Sequence, residues 1–445
     1  MKKSLKMLSL ATLCLFALTG CGPKTSSSSA GDGGSNGSTT TAGGTTDKAY
    51  HLKIAGPADQ SEFIKEQVQK YLDDNGWDKV TFEMVDLGED KADTTVADWT
   101  TGPEIYAFAS DKMLNLVKAN ALNAVPTRYA DQMAEDMNEA AIGAGTLGDN
   151  MVAYPYAGDN GYFLYYDKAL FAGKEDKLNT VEGIIEVCQE AGRQFCYPLQ
   201  TQFYSMAMLQ TFGASYTITM NADQTDIAQV TATYDEEGGV TAGKGMMQLI
   251  QNPGVLATTL QNAPTEANGI GAVVDGSWNS AKYEEALTVG GVNNLGACKL
   301  PTITVDGKTE NLKSFLGYKL YGVNAQPAAG DTTRIGLLHS IANYLVSEEV
   351  QSARFDTFST APTNVAVSEM EKVTSNQYIK AINDQSQYAV PQTITPPNLW
   401  TAPDGFYSQI VDAKGTPLTD KQIQDAMTVI NNNLENLTVA EKPAE

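Results

Sequence analysis

Five short segments place an acid or amide next to aromatic or small residues. They are Gly56-Pro57-Ala58-Asp59-Gln60, Phe108-Ala109-Ser110-Asp111-Lys112, Asp159-Asn160 within AYPYAGDNGYFLYYDK, Asp275-Gly276-Ser277-Trp278-Asn279, and Pro397-Asn398-Leu399-Trp400 followed by Phe406-Tyr407. Such mixtures suit polyhydroxylated ligands. A sugar ring carries hydroxyls at its rim and C–H groups on its faces, so acids, amides and lysines grip the edge while Trp, Tyr or Phe stack on the face. Taken singly, each acid or amide also serves as a turn or helix cap, and each aromatic as core.

Other chemistries lack parts. The chain has only two histidines, His51 and His339, neither with a Cys or His at metal-ligand spacing, so zinc sites and Ser-His-Asp catalysis are both incomplete. No cofactor or metal is expected. Gly33-Gly34-Ser35-Asn36-Gly37 matches G-x-S-x-G only in form, because the hydrolase elbow needs a strand, turn and helix around it. Gly238 to Gly245 nearly spells a P-loop, yet Gly245 stands where a magnesium-binding hydroxyl must be, and the segment reads as a loop before a helix. Acid pairs such as Asp73-Asp74, Asp235-Glu236-Glu237 and Glu348-Glu349 keep a two-carboxylate glycosidase open as an alternative.

The elements that would position these residues follow from periodicity. YHLKIAG reads as a strand, SEFIKEQVQKYLDDNG as an amphipathic helix and KVTFEMVDL as a second strand, the start of a βαβ unit. PEIYAFA, NGYFLYY, IGAVVDG and YKLYGVNA are further strands, with helices between them such as DKMLNLVKANAL, GMMQLIQN and TTRIGLLHSIANYLVSEEVQSARF. This alternation predicts an α/β fold with mainly parallel sheets, in which ligands bind beyond the carboxyl ends of strands. A chain of 445 residues exceeds what one core usually supports, so two lobes are expected.

Charge and the N-terminus narrow the setting. With 53 acids against 30 bases the net charge is −23, which repels nucleic acid and acidic lipid head groups. Lys2, Lys3 and Lys6 precede an apolar run from Met7 to Leu18, as in a signal peptide spanning residues 1–20. Leu18-Thr19-Gly20-Cys21 resembles the bacterial lipobox, which implies acylation at Cys21 and an extracytoplasmic, membrane-anchored protein. Residues 21–48 are Ser, Thr and Gly with almost nothing apolar, the composition of a tether. Of the cysteines that remain, Cys188 and Cys196 could close a short disulfide loop or stay separately buried.

Six ordered segments, IAGPADQ, PEIYAFASDKMLNLVKANAL, YPYAGDNGYFLYYDKALF, GAVVDGSWN, CKLPTITVDGKTENLKSFLGYKLYGVNA and PPNLWTAPDGF, resemble the maltose and maltodextrin-binding proteins of Gram-positive ABC importers, from about Leu52 to Tyr407. The resemblance implies two hinged α/β lobes of the periplasmic-binding-protein type, residues 49–160 plus 312–365 and residues 161–311 plus 366–440, closing on sugar. It implies a monomer that captures maltodextrins without turnover and hands them to a membrane permease.

Residue by residue, Asp59 and Gln60 fall in the first ligand loop, and Asp111 and Lys112 match a paired acid and base, with Phe108 at a wall position. Asp159 or Asn160 matches a polar contact on the first crossing strand. Trp278 matches a stacking residue, Phe203 lies where a relative has Tyr, and Trp400, Phe406 and Tyr407 fall where aromatics stack on ligand. Ala55, Phe108 and Lys112 depart from the Trp, Trp and Arg of relatives, which leaves oligosaccharide length and linkage open, as well as other oligosaccharides and a sensor role without a permease.

Overall fold

The computed structural model describes residues 48–259, 262–413 and 415–438. The signal segment, the motif at Cys21 and the tether up to Asp47 lie outside them. Ten strands form one curled sheet: β1 (Tyr50–Gly56), β2 (Val80–Asp86), β3 (Ile105–Ala109), β4 (Tyr154–Asp167), β5 (Gln194–Cys196), β6 (Val255–Leu256), β7 (Ile270–Gly276), β8 (Leu295–Cys298), β9 (Ser314–Val323) and β10 (Ala389–Gln392). The order is β6-β5-β7-β4-β9-β3-β1-β2, with β8 beside β4 and β10 beside β9.

Two strands join the halves of this sheet. The first half of β4 pairs with β9, and its second half pairs with β7 and β8. Likewise β9 pairs with β10 through Ser314–Gly317 and with β3 through Lys319–Val323. Both are antiparallel to their main neighbours, so the sheet is mixed where mainly parallel pairing was expected. A strand that leaves one half for the other must return, and the return runs against it.

The helices follow the expected periodicity. The helix Ser61–Asp74 buries Phe63, Ile64, Val68 and Leu72, one face at helical spacing, and packs them with Leu52, Ile54 and Ile105 of the sheet. That first core reaches Ile341 and Val350; a second, around Leu164, Ile184, Met246 and Met427, lies on the other half. The predicted long helix from Thr332 is two helices, Thr332–Leu345 and Glu348–Phe358, because Ser347 caps the second by accepting from the Val350 amide.

One other expectation changes, and one open alternative resolves. Gly238 to Gly245 lies inside the helix Glu237–Ile250 and not in a loop. Its glycines serve close packing: a Cβ on Gly243 would come within 2.8 Å of Ile423, and one on Gly245 within 3.0 Å of Val305. Cys188, Cys196 and Cys298 are free thiols, and burial pushes each up to about 12.

Candidate functional site

Strand ends position the candidate residues. Strands β1, β3 and β7 each run into a single 3-10 turn that opens a helix, and those turns carry Asp59-Gln60, Asp111-Lys112 and Trp278. Asp111 is the most heavily engaged. It accepts from Lys112 Nζ at 3.0 Å, from Gln392 Nε2 at 2.9 Å and from the Trp400 indole N–H at 3.2 Å. Burial raises its carboxyl above the ordinary value, against the pull of the Lys112 ammonium. For Lys112, burial pulls down but Asp111 and Asp93 more than offset it, so the ammonium is held above its usual range. The network continues: Asn160 Nδ2 donates to Gln392 Oε1 at 2.9 Å, and Ser110 donates to the Gln392 carbonyl.

An aromatic surface adjoins these charges. Phe203 stacks on Phe315 at 5.7 Å and lies 6.1 Å from Trp400 and 6.3 Å from Trp278, while Trp400 meets Phe315 edge-on at 5.3 Å. Lys112 Nζ stands 5.9 Å from the Trp400 ring centre. Trp278 is 36% exposed, unusual for so large an apolar ring. It lies against Gly276, where an added Cβ would sit 2.1 Å from the ring. Below it Asp275 is fully buried and accepts from Tyr283 at 2.5 Å, Asn279 at 2.8 Å and the Gly276 amide at 2.8 Å. Through the Gly276 amide and Asn279 this acid braces both sides of the Trp278 turn, and burial raises its carboxyl to about 6.

The glycine-flanked pair on β4 divides its work. Pairing slips between Gly317↔Asn160 and Lys319↔Ala157, so Gly158 and Asp159 together face the single residue Tyr318. Asp159 Oδ2 accepts from Ser277 at 2.6 Å and from the Ala361 amide at 3.1 Å, whereas its buried Oδ1 has no partner. Asn160 joins the Asp111 network. The neighbouring tyrosines are packing: Tyr156 stacks on Tyr321 at 4.5 Å and Tyr165 donates to the Gly276 carbonyl at 3.0 Å.

The remaining residues fall into two groups. Asp59 is exposed at the mouth of its turn, and Gln60 is buried, its Oε1 accepting from the fully buried Arg354, which also donates to Tyr321 at 2.6 Å. Phe108, by contrast, is fully buried beside Tyr106 and forms no wall, because every residue of β3 is enclosed between the sheet's neighbours and its helices. Phe406 is 2% exposed and packs with Ile423 and Met427 in the second core, so it is not an open stacking face. Tyr407 packs partly against the same core and donates to the Ala257 carbonyl at 3.1 Å. Trp99 is buried 4.7 Å from Tyr106, and Trp77 packs beside the first core.

Gln392, Phe315 and Tyr216 belong to the cluster but were not anticipated. The Tyr216 hydroxyl is buried without a partner and feels the Asp111 charge. It stands on the hairpin Tyr216–Met220 with Ile227–Ala232, whose Ile227 and Val230 pack on Leu114 and whose Asp226 pairs with Lys118 at 2.5 Å. A glutamine ending AVPQ or a phenylalanine inside a strand carries no local pattern. Among the described residues no group of His, Cys, Asp and Glu could hold a metal ion, and no helix is long and apolar enough to cross a membrane.

A curled α/β sheet whose halves share two crossing strands, with polar groups and tryptophans gathered at strand ends, is the architecture of a two-lobe binding protein. Residues 66–381 match the family described as bacterial extracellular solute-binding protein, and the chain belongs to that family. A protein solved with acarbose is similar at 25% identity with a TM-score of 0.74, covering 87% of this chain and 99% of its own. The fold is shared with a maltodextrin-binding protein from L. casei BL23 solved without ligand (TM-score 0.71, 17% identity, 88% of this chain and 100% of that one). It is shared as well with a cyclo/maltodextrin-binding protein complexed with maltotetraose (TM-score 0.65, 16% identity, 88% and 100%). No curated protein sequence matches the chain.

Proposed function

We propose that this chain is the lipid-anchored, extracytoplasmic receptor of a sugar importer, which captures maltodextrin-like α-glucans and delivers them to an ABC permease. The observation that carries the reading is the Asp111 cluster, where a buried carboxylate held by Lys112, Gln392 and Trp400 borders a continuous surface of Trp278, Phe203 and Trp400. Charged edge groups fix ring hydroxyls, and the aromatic faces take the C–H sides of successive sugars. The structures solved with maltotetraose and with acarbose support the substrate class.

Anchoring rests on the lipobox-like Leu18-Thr19-Gly20-Cys21. The protein works as a monomer in the two-lobe division given by its sequence, binds without breaking bonds, and changes outline as the lobes close, which the permease reads. Contacts come from Asp59, Asp111, Lys112, Asn160, Phe203, Trp278 and Trp400. Calorimetric titration with maltose, maltotriose, longer maltodextrins and unrelated disaccharides tests the reading. Heat with α-glucans and no release of glucose over a day is expected, and silence toward every α-glucan would reject the substrate assignment.

A further inference from the structure

Strand β9 carries a buried ammonium whose hydrogen-bond donors the fold leaves unused. Lys319 lies mid-strand, opposite Ala109 of β3 and Ala157 of β4, and only 4% of it is exposed. Two alanines at its register leave room for the long side chain to run between them. Its ammonium makes no hydrogen bond among the described residues. The nearest carboxylate oxygen, Glu89 Oε1, is 3.8 Å away and already accepts from Tyr156. A buried ammonium with three idle donors keeps hydrogen-bonding capacity that no group of the fold takes up.

Lys319 Nζ stands 5.8 Å from the ring centre of the exposed Trp278. Asp159, which accepts from Ser277 in the turn that carries Trp278, contributes a buried Oδ1 that has no partner, and its charge and that of Asp59 act on Lys319. Burial alone would pull the ammonium down, but Glu89, Asp159 and Asp59 more than offset it, so Lys319 stays charged. Idle donors on Lys319 and an idle acceptor on Asp159 thus lie near the half-exposed Trp278.

We infer that Lys319 is a ligand contact, donating to adjacent ring hydroxyls of the sugar unit stacked on Trp278, with Asp159 Oδ1 and Glu89 accepting from the same unit. The ligand class is an uncharged polyol ring: the three acids repel a phosphate or carboxylate, and the ammonium repels a cation. This assignment rests on the sugar-binding reading above and adds a residue to it. Lysine in a strand of apolar neighbours, as in YKLYGVNA, was the only sequence signal of it.

The test is a titration of wild type, Lys319→Met and Lys319→Gln with maltose, its monodeoxy analogues, sucrose, lactose and cellobiose, with thermal unfolding of each protein. Lys319→Met removes the cation beside Glu89 and Asp159, so it should unfold somewhat below the wild-type temperature, and once folded bind maltose roughly ten- to a hundredfold more weakly, the range for losing a charge-assisted hydrogen bond. Lys319→Gln should fall in the same direction and serves if the Met variant does not fold. At least one deoxy analogue should bind wild type more weakly than maltose does yet bind Lys319→Met no more weakly than maltose does. Wild-type affinity in both variants, or equal deoxy penalties with and without Lys319, would overturn the inference. If wild type ignores maltose but takes another sugar, a loss in the Lys319 variants on that sugar upholds the contact while rejecting the α-glucan reading. Silence of wild type toward every sugar overturns both.

Discussion

Replacing Gly276 by alanine should remove the Trp278 platform without touching the tryptophan. Gly276 has φ −89° and ψ 173°, an extended conformation open to any L-residue, so alanine adds no backbone strain. Its Cβ, however, would lie 2.1, 2.2 and 2.4 Å from three ring carbons of Trp278. Ordinary carbon contact is about 3.5–4.0 Å, so the ring must retreat by roughly 1.5 Å or swing out altogether. Because Trp278 is 36% exposed and belongs to neither large core, the ring has solvent to move into and the fold should lose little.

Binding should suffer instead. A stacked aromatic at the centre of a site contributes about 1–3 kcal/mol, so affinity should drop roughly 5- to 150-fold in Gly276→Ala, close to the loss in Trp278→Ala. Titration calorimetry of both variants and the double variant, with unfolding midpoints alongside, separates the causes. The double variant should bind as weakly as Trp278→Ala alone, since both changes remove one contact. Wild-type affinity in Gly276→Ala would refute the stacking role, and additive losses would mean that Gly276 acts through another route, such as the carbonyl that accepts from Tyr165.

Three further outcomes follow from the same geometry. Trp400→Phe keeps the ring but removes the indole donor to Asp111; at 3.2 Å, with Lys112 on the same oxygen, the loss should sit at the low end for a charged hydrogen bond, about 1.5 kcal/mol or roughly tenfold in sugar affinity by calorimetry. Phe406→Ala should cost about 3–5 kcal/mol of stability in denaturant titration, as for a buried core ring, and leave sugar affinity of the folded protein unchanged. Asp275 gives a pH signature. Its folded value of about 6 lies above the ordinary carboxyl value of 3.8, so the folded state holds the extra proton between them, and the stability this contributes at low pH is lost as pH rises through 6. Between pH 4.5 and 7.5 wild type should lose about 2 kcal/mol relative to Asp275→Asn, read from the difference of their unfolding curves. A flat difference would mean that Asp275 is ionised throughout.

Local pattern made some of this legible and hid the rest for identifiable reasons. The strand IGAVVDG and the helix SEFIKEQVQKYLDD appear within two residues of their predicted bounds, because apolar periodicity and the residues that end each run are local signals. The three turns after β1, β3 and β7 were likewise readable, since an acid or tryptophan at a strand's carboxyl end in an α/β fold sits where ligands bind. Phe108 and Phe406 were misplaced because an aromatic next to a site motif looks the same whether its ring faces the cleft or the core. Gly238 to Gly245 misled because glycines usually break helices, whereas here they let Ile423 and Val305 approach.

Sequence by itself determined most of the strands and helices, the excess of acid over base, the scarcity of histidine, and the set of residue types suited to holding a sugar. Only the tertiary structure decided which of them meet. Asp111, Asn160 and the pair Gln392 and Trp400 come from three distant stretches of chain, and the pairing of β9 with β3, β4 and β10 brings them within hydrogen-bond reach. The division between Asp159 and Asn160 was settled by a slip of register, which no composition records. Side-chain direction in a strand alternates with each residue, so one displaced pairing gave Asn160 to the Asp111 network and turned Asp159 toward Ser277 and the Ala361 amide.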